Sequence, residues 1–532
     1  MNFTSEKISY EQTGSFSRLV LDYLDSADSL KVFYKYHPDI AGLKKAVTDR
    51  QNFPVNRKLL IEVLNNQYEQ VDTSDKLKAN IAALRSENTF TVCTAHQPNI
   101  FTGHLYFIYK ILHAIKLAEE LSVAMPDKKF VPVYYMGTED ADIAELGEVN
   151  IKGTEYHWKT EQRGAVGRML IDKNFIQLID AIEGQLSSEK YGEEIVNSVK
   201  RYYTEGITLE TATFHFVDSV FGKYGLVILL PDNKKLKQAF APVVTKEIDE
   251  QFSQKAVTET VSAFPPEYKV KASGREINLF YLKDNIRERI EQNSEGFSVA
   301  NTDFKFSREA LEEELQNHPE RFSPNVILRP VFQEMILPNV AFIGGGGEIA
   351  YWLELKKVFE KTNAFFPVLV LRNSFSLINK STAISIKKLG FTTIDFFQTE
   401  LLLNEILVKR ETDLILDLEE EKEALKKMYE KIKSAAAAID QTLSGHVHAL
   451  LTQALNRIEI LEKKMLKAEK KKFDAQQRQI KKIKSTLFPV GILQERYDNI
   501  LDYTASYGGN FIEMLNQHSN GTAQSFTLLT EQ

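Results

Sequence analysis

The chain has 532 residues, 43% hydrophobic and 26% charged, a composition typical of globular proteins, and its length predicts about two to four domains. A net charge of −7 excludes the basic bias of a dedicated nucleic-acid binder, so no nucleic-acid partner is expected. We find no apolar signal region and no uninterrupted apolar run of about 18 residues, and we expect no membrane contact. A single cysteine, Cys93, excludes an intrachain disulfide. We therefore expect a cytoplasmic protein without a protein-bound metal.

The first half of the chain changes from helical to alternating patterns. Residues 1–88 have helical spacing and are interpreted as an N-terminal helical arm. A strand, a turn-rich loop, a helix and a second strand follow between residues 90 and 136, at about the length of one βαβ unit. Further apolar runs predict strands at 225–231, 326–330, 340–343 and 366–371. The predicted fold class is α/β, with a Rossmann-like parallel-sheet core over 89–385 and insertions at about 150–211 and 245–324.

From about Leu418 the composition shifts to Glu, Lys, Ala and Leu, with apolar residues at helical spacing. This pattern predicts two long helices folded back as a hairpin, within a C-terminal α-helical coiled-coil domain at 386–490. An apolar seam of this length must be covered, and a second copy of the chain is the simple partner. We therefore expect a homodimer, with residues 491–532 packing back on the core.

The loop after the first predicted strand is the strongest candidate site, because ligands of parallel sheets bind at the carboxyl ends of strands. The segment is similar to the HxGH loop of class I nucleotidylyltransferases and tRNA synthetases, with Phe101 where the first histidine would be. The alternative is a structural loop with two surface histidines. The candidates here are two catalytic histidines and four phosphate-binding residues: His96, His104, Gln97, Thr102, Gly103 and Lys110.

Three acids, Glu139, Asp140 and Asp142, follow the second predicted strand. Carboxylates at that place are suited to hold a substrate ammonium, hydroxyls or Mg²⁺, or to act as a base. Acids at a helix N-terminus, favoured by the helix dipole, are the alternative. We include all three among the candidate catalytic residues.

The glycine string from 344 to 347 precedes a predicted helix and would let backbone amides approach an anion. A tight strand-to-helix turn is the alternative. The cofactor-binding candidates here are Gly344, Gly345 and Gly346. Nearby side chains give the substrate-binding candidates, in which the arginines could clamp a carboxylate or form structural ion pairs: Arg329, Glu348, Tyr351, Trp352, Arg372 and Asn373.

Four segments together resemble the bacillithiol biosynthesis cysteine-adding enzyme family (BshC). They are IFTGHLYFIYK (100–110), FVPVYYMGTEDADIAEL (130–146), RPVFQEMILPNVAFIGGGGEIAYWLELKKVF (329–359) and LFPVGILQER (487–496). The region of the first segment departs from the usual TGQQ-GLFTGPLY. This chain has Thr94-Ala95-His96-Gln97 at its start, and His104 where proline is common. This departure makes the chain look like a diverged branch.

The resemblance implies connecting-peptide insertions in the core, a dimer formed by the coiled coil, and addition of L-cysteine to the amine of glucosaminyl malate. Amide formation needs an activated carboxylate, for which ATP with Mg²⁺ is the hypothesis. The alternatives are a related aminoacyl- or nucleotidyl-transferring enzyme with another amine acceptor, and a non-catalytic coiled-coil scaffold.

Overall fold

The computed structural model describes residues 2–269, 274–412 and 418–532. Short parts of the predicted second insertion (270–273) and of the predicted coiled-coil domain (413–417) lie outside these ranges. The chain divides into two compact units, the first comprising Met1–Ser376 with Gln494–Leu529 and the second Leu377–Leu493 with Thr530–Gln532. Within the described ranges, no helix combines the length and the apolar character that crossing a membrane requires.

The strands are named in chain order. They are β1 (Phe3–Ile8), β2 (Thr89–His96), β3 (Lys129–Met136), β4 (Glu148–Ile151), β5 (Thr154–His157), β6 (Val227–Leu229), β7 (Leu279–Lys283), β8 (Ile286–Asn293), β9 (Gly296–Val299), β10 (Lys305–Phe306), β11 (Phe322–Pro324), β12 (Asn339–Gly344), β13 (Val368–Leu371), β14 (Ser374–Ile378) and β15 (Phe526–Glu531).

The α-helices follow the same convention. They are α1 (Arg18–Leu24), α2 (Ile40–Arg50), α3 (Arg57–Gln67), α4 (Asp75–Ala83), α5 (Leu105–Ala124), α6 (Ile143–Leu146), α7 (Lys173–Leu186), α8 (Gly192–Tyr202), α9 (Leu209–Phe221), α10 (Lys234–Glu250), α11 (Phe252–Ser262), α12 (Arg308–Asn317), α13 (Arg329–Ile336), α14 (Gly346–Glu354), α15 (Lys356–Thr362), α16 (Lys380–Lys388), α17 (Glu400–Glu411), α18 (Glu419–Ile439), α19 (Leu443–Lys470), α20 (Asp474–Leu487), α21 (Ile500–Tyr507) and α22 (Asn510–His518).

The first unit is built on a five-stranded parallel sheet in the order β13-β12-β2-β3-β6. The first strand of the sheet in chain order, β2, is central, and later strands are added on one side and then on the other. The order therefore reverses between β2 and β12, and a ligand crevice forms at such a switch point. The predicted Rossmann-like parallel sheet is confirmed.

One predicted strand is wrong. Residues 326–330 do not join the sheet, because the segment turns into α13, which begins at Arg329 and has Pro330 in its first turn. Proline suits this position, since its fixed φ matches the helix and its missing N–H would have had no helical partner there. The apolar character of the segment comes from burial of a loop and a helix start rather than from strand pairing.

The central helix α5 explains how polar residues reach the interior. It packs against β2, β3, β12 and α22, and most of its residues are buried. Two of these are polar, Lys110 and His113. The imidazole of His113 bonds through Nε2 to the carbonyl oxygen of Gly521 at 2.7 Å, and its Nδ1 accepts from the backbone N–H of Asn373 at 3.0 Å. This buried histidine ties the helix to two loops of the same unit.

Two regions interrupt the sheet. Between β3 and β6 lie the β4–β5 hairpin and helices α7–α9. Between β6 and β12 lie α10–α13 and a five-stranded sheet in the order β10-β9-β8-β7-β11, whose pairs are antiparallel.

The second unit is helical over most of its length, from α16 to α20. Helices α18 and α19 contact each other along the predicted hairpin, so the α-helical coiled coil is confirmed. A 3₁₀ turn at Lys471–Phe473 separates α19 from α20, so the second long helix of the hairpin ends at Lys470. Several apolar side chains of this unit remain exposed: Met428, Ile432, Ile439, Leu443, Leu450, Ile460 and Leu461.

Candidate functional site

A cavity of about 450 Å³ lies at the carboxyl ends of the parallel strands in the first unit. Residues at or just after the carboxyl end of each of the five strands line it: His96 and Gln97, Gly137, Pro231, Gly345 and Arg372. The loops after β2 and β12 face each other across the switch point described above. The cavity therefore lies where a doubly wound sheet binds its ligand.

His96 ends β2 and reaches the cavity wall with its ring between the rings of Tyr106 and Phe107. Its Nε2 is buried and has no hydrogen-bond partner in the structure. Burial, helped by the positive charge of Lys110, holds the pKa of His96 well below its usual range. The imidazole is therefore neutral at pH 7, and it faces a ligand as a neutral donor or acceptor. Gln97 also lines the cavity and donates from Nε2 to Oδ2 of Asp140 at 3.1 Å.

The predicted phosphate loop continues into a strained turn. Phe101, Thr102 and Gly103 all have positive φ, of 49°, 71° and 64°. The side-chain amide of Asn499 holds this turn by donating to the carbonyl oxygens of Phe101 and Gly103 at 3.0 and 2.5 Å. His104 follows, with Nδ1 3.3 Å from the carbonyl oxygen of Tyr497. Thr102, Gly103 and His104 do not line the cavity. Gly103 and His104 instead contact Asn499 and Tyr497 in the C-terminal segment of the unit.

Two of the three predicted acids line the cavity. Glu139 is buried and forms an ion pair with Lys237, whose ammonium also donates to the carbonyl oxygen of Phe322 at 2.8 Å. Burial raises the pKa of Glu139, and Lys237 opposes that rise. Asp140 accepts from Gln97 and, through Oδ1, from the backbone N–H of Ala141 at 2.7 Å.

Asp142 lies away from the cavity and caps α6, accepting from the backbone N–H of Glu145 at 3.2 Å. Glu145 itself lines the cavity, and the sequence reasoning missed it. Burial, together with the nearby charges of Asp142 and Asp140, raises its pKa.

The glycine string supplies one wall. Gly345 and Gly347 line the cavity, as does Glu348, whose Oε2 caps α14 by accepting from the backbone N–H of Gly345 at 2.8 Å. The same carboxylate pairs with Lys110 at 2.5 Å. Burial lowers the pKa of Lys110, and Glu348 opposes the shift. Lys110 also donates to the carbonyl oxygen of Ala95 at 2.9 Å, so its ammonium is bound within the protein.

Three other candidates beside this wall have different surroundings. Gly344 packs against the ring of Phe342, and Gly346 faces Val20. Trp352 is fully buried and stacks on Phe342 at 4.2 Å between ring centroids. Gly344 and Trp352 belong to the core behind the cavity, whereas Gly346 is half-buried and does not line the cavity. Tyr351 lines the cavity and accepts from Nη2 of Arg329 at 2.9 Å.

The arginines at the cavity fall into two groups. Arg372 is buried and donates to both oxygens of the buried Glu495 at 2.9 and 2.7 Å. Its neighbour Asn373 turns away from the cavity and accepts from the backbone N–H of Asn520 at 3.0 Å.

Arg329, Arg287 and Arg496 also line the cavity, and within the described ranges none of them forms an ion pair with a carboxylate. Sequence reasoning named only Arg329 of these three. Arg496 lies in the segment LFPVGILQER, which could have drawn attention to it, whereas no local signal marks Arg287 on β8. The three guanidinium groups share the cavity wall with the carboxylates of Asp140 and Glu145.

Comparison with known families agrees with this architecture. Residues 3–373 match the model of the family described as "Bacillithiol biosynthesis BshC, N-terminal Rossmann-like domain". Residues 375–531 match the model described as "Bacillithiol biosynthesis BshC, C-terminal coiled-coil domain". The chain belongs to the BshC family. In the part of the chain that the structure describes, no group of three or more His, Cys, Asp or Glu residues is arranged to hold a metal ion.

Full-length relatives carry the name "Putative cysteine ligase BshC". The protein of Flavobacterium johnsoniae is 39% identical over 98% of this chain and 99% of its own length. Those of Flavobacterium psychrophilum and Cytophaga hutchinsonii are 38% and 36% identical, covering 98% and 97% of each chain. A solved Campylobacter jejuni structure titled as an arginyl-tRNA synthetase aligns at 11% identity over 85% of this chain and all of its own, with a TM-score of 0.21. That score is too low to support an argument.

All four segments that resemble the BshC family contribute to the cavity wall. Segment 100–110 contributes Tyr106 and Lys110, segment 130–146 contributes three of its acids, segment 329–359 contributes the glycine wall, and segment 487–496 contributes Arg496. The family resemblance and the cavity therefore coincide in the same residues.

Proposed function

We propose that this protein catalyses the last step of bacillithiol biosynthesis, adding L-cysteine to the amine of glucosaminyl malate by amide formation. We further propose that ATP with Mg²⁺ activates the cysteine carboxylate. Membership of the BshC family and the cysteine-ligase name of its relatives support the substrate pair. The observation that carries the proposal is the cavity at the switch point, which combines unpaired guanidinium groups with carboxylates.

The charges of the cavity fit the proposed reactants. Glucosaminyl malate has two carboxylates and an ammonium, and cysteine has one of each. Arg329, Arg287 and Arg496 present cations that have no ion-pair partner among the described residues, and guanidinium groups bind carboxylates and phosphates well. Asp140 and Glu145 present carboxylates to an ammonium. The amine must lose protons as the carbon–nitrogen bond forms, and Asp140 is our proposed acceptor.

The residues of the cavity also fit a nucleotide. Arg496 and the backbone amides at the start of α14 would hold phosphate oxygens, since a helix N-terminus favours anions. Glu145 would hold Mg²⁺, which usually enters with phosphates and one or two carboxylates. ATP, when bound, would make the carboxylate reactive by supplying a leaving group.

The remaining candidates keep roles in the proposal. Neutral His96, with its free Nε2, would donate to a reacting carboxyl oxygen or accept a proton from the amine. Lys110 would act through its charge near the cavity rather than by direct contact, because Glu348 and Ala95 already bind its ammonium. Thr102, Gly103 and His104 would fix the position of the loop.

We propose that the protein works in the cytoplasm as a homodimer formed by α18 and α19. Exposed apolar residues on these helices, among them Ile432, Ile439 and Ile460, support this assignment. Light scattering of the wild type should give twice the mass of 60.8 kDa, and glutamate at Ile432 and Ile460 together should favour the monomer. A monomeric wild type would contradict the dimer but would leave the proposed reaction open.

A mass-spectrometric product assay tests the reaction. Purified protein is mixed with L-cysteine, glucosaminyl malate and Mg-ATP, and each component is omitted in turn. We expect bacillithiol only in the complete mixture. Product without ATP would contradict the activation step and keep the substrate pair. Folded protein that forms no product would contradict the proposed reaction.

A further inference from the structure

Arg287 is a cavity residue that belongs to neither the parallel sheet nor its loops. It lies on β8 of the inserted antiparallel sheet, directly after the hairpin turn at Asp284 and Asn285. Gly164 packs against this turn so closely that a Cβ at its position would lie 2.9 Å from the carbonyl carbon of Asn285. Gly164 also has a φ of 88°, which favours glycine. The contact at Gly164 thus joins the second insertion to the first one, and Arg287 lies on the cavity wall.

The side chain of Arg287 is held in place but is not neutralised by a bonded partner. Its guanidinium lies 3.9 Å from the ring centroid of Phe280, which fixes its plane. Its Nε is buried without a hydrogen-bond partner. Burial lowers the pKa of Arg287, while Asp140 and Glu139 nearby oppose the shift. A buried N–H that no group accepts is costly.

The nearby acids do not supply that acceptor. Glu139 is bound by Lys237. Asp140 accepts from Gln97 through one oxygen and from the backbone N–H groups of Ala141 and Asp142 through the other. Arg287 is therefore suited to bind an anionic ligand in the cavity.

Arg329 presents a second such group in the same cavity. Its guanidinium donates to the hydroxyl of Tyr351 and lies over the ring of Tyr135, and it has no ion pair with a carboxylate within the described ranges. The two arginines come from different parts of the fold, one from the insertion and one from the start of α13. Two separated guanidinium groups suit a ligand with two carboxylates rather than one.

We propose that Arg287 and Arg329 together bind the two carboxylates of a malyl group, and that Arg287 makes the site selective for a dicarboxylate acceptor. This inference rests on the proposed function for the identity of the acceptor, and it adds the residue that recognises the second carboxylate. The inserted sheet would then set acceptor specificity, while the parallel sheet supplies the reaction centre.

Calorimetric titration with L-malate and L-lactate tests the inference without catalysis. Lactate keeps the hydroxyl and one carboxylate of malate and lacks the second carboxylate. The wild type should bind malate at least about tenfold more tightly than lactate, the effect of one charge-assisted contact. Arg287→Gln should lose about tenfold in malate affinity and leave lactate affinity unchanged. Arg289→Gln, on the same strand with Glu291 as its partner, is the matched control and should behave as wild type.

Several results would overturn the inference. They are equal malate affinity in Arg287→Gln and wild type, a parallel loss of lactate affinity, and absence of malate binding to the wild type. If Arg287→Gln does not fold, Arg287→Lys decides, because lysine keeps the charge but loses the planar pair of donors. Unchanged malate affinity in Arg287→Lys would then reject the inference.

The KM for glucosaminyl malate separates this inference from the proposed function. A wild type that makes bacillithiol, with the same KM in Arg287→Gln, would reject the role of Arg287 and keep the function. A wild type that makes no bacillithiol but binds malate through Arg287 would reject the function and keep the dicarboxylate site.

Discussion

Replacing Glu495 with glutamine removes the negative partner of Arg372 and nearly keeps the shape of the side chain. In the wild type both carboxylate oxygens accept from this guanidinium, at 2.9 and 2.7 Å, and both side chains are buried. The hydroxyl of Ser374 also accepts from Arg372, at 3.0 Å. A glutamine at position 495 would leave the arginine with a buried positive charge that no carboxylate neutralises.

The expected loss follows from the burial of the pair. Removing one partner of a buried ion pair typically costs about 3–5 kcal/mol, because the other charge stays uncompensated in a low-dielectric interior. Ser374 and the carbonyl oxygen of Asn373 still accept from Arg372, so we expect a loss near the lower bound, about 3 kcal/mol. Glu312→Gln is the control. It removes an exposed partner of Arg308 and should cost less than about 1 kcal/mol.

Tryptophan fluorescence during urea unfolding measures this loss of stability in the first unit, which contains the ion pair. The chain has two tryptophans, Trp158 and Trp352, and both lie buried in the first unit. Methionine at both Arg372 and Glu495 should destabilise less than Glu495→Gln, since no unpaired charge remains. If Glu495→Gln unfolds within about 1 kcal/mol of the wild type, the pair does not stabilise the fold. Arg372 would then be free for a substrate carboxylate, as the sequence suggested.

Three further outcomes are expected. Gly103→Ala should destabilise the first unit by about 1–3 kcal/mol, because φ is 64° and the new Cβ would lie 2.8 Å from Cβ of Asn99; Gly184→Ala, in open space within α7, should instead stabilise by about 0.5–1 kcal/mol, and a loss equal to that of Gly103→Ala would contradict the argument. Burial raises the pKa of Glu210 from 4.5 to about 7. Its carboxyl therefore binds a proton more tightly in the folded state, and the free-energy cost of ionising it in the folded protein grows as pH rises from 4.5 to 7. Glu210→Gln should therefore stabilise by up to about 3 kcal/mol at pH 8 and little at pH 4.5 in urea unfolding, whereas equal effects at both pH values would refute the assignment. Gln97→Ala should keep stability within about 1 kcal/mol while changing turnover, because this half-buried residue contacts the cavity and Asp140; wild-type kinetics would exclude it from the site.

The sheet was predictable because burial on both faces leaves a direct trace in sequence. β2, β3 and β12 are buried along nearly their whole length. Of these, β3 and β12 read as nearly continuous apolar runs, whereas β2 mixes threonine with apolar residues. The same criterion failed at 326–330, where a buried loop and helix start give an equally apolar run. Pro330 was the local signal against a strand, because proline has no N–H for sheet pairing.

The position of the cavity was predictable from the sequence, but the ion-pair partners of its charged residues were not. A residue that follows a parallel strand lies at the ligand edge whatever it is paired with, and this rule found His96, Gln97, Asp140 and Gly345. Pairing depends on residues far away in the chain: Glu495 lies 123 positions from Arg372, and Lys237 lies 98 from Glu139. No local pattern carries that information.

The ion-pair partners of the cavity residues show which cations are available to an anionic ligand, a distinction that their position alone does not make. The ammonium of Lys110 and the guanidinium of Arg372 reach the cavity, yet each is already bound by a buried or half-buried carboxylate. An anionic ligand would have to compete with that carboxylate at either residue. Arg287, Arg329 and Arg496 meet no such competitor within the described ranges. Binding energy for an anion is therefore available mainly at these three, and one of them belongs to an insertion in which sequence reasoning sought no site.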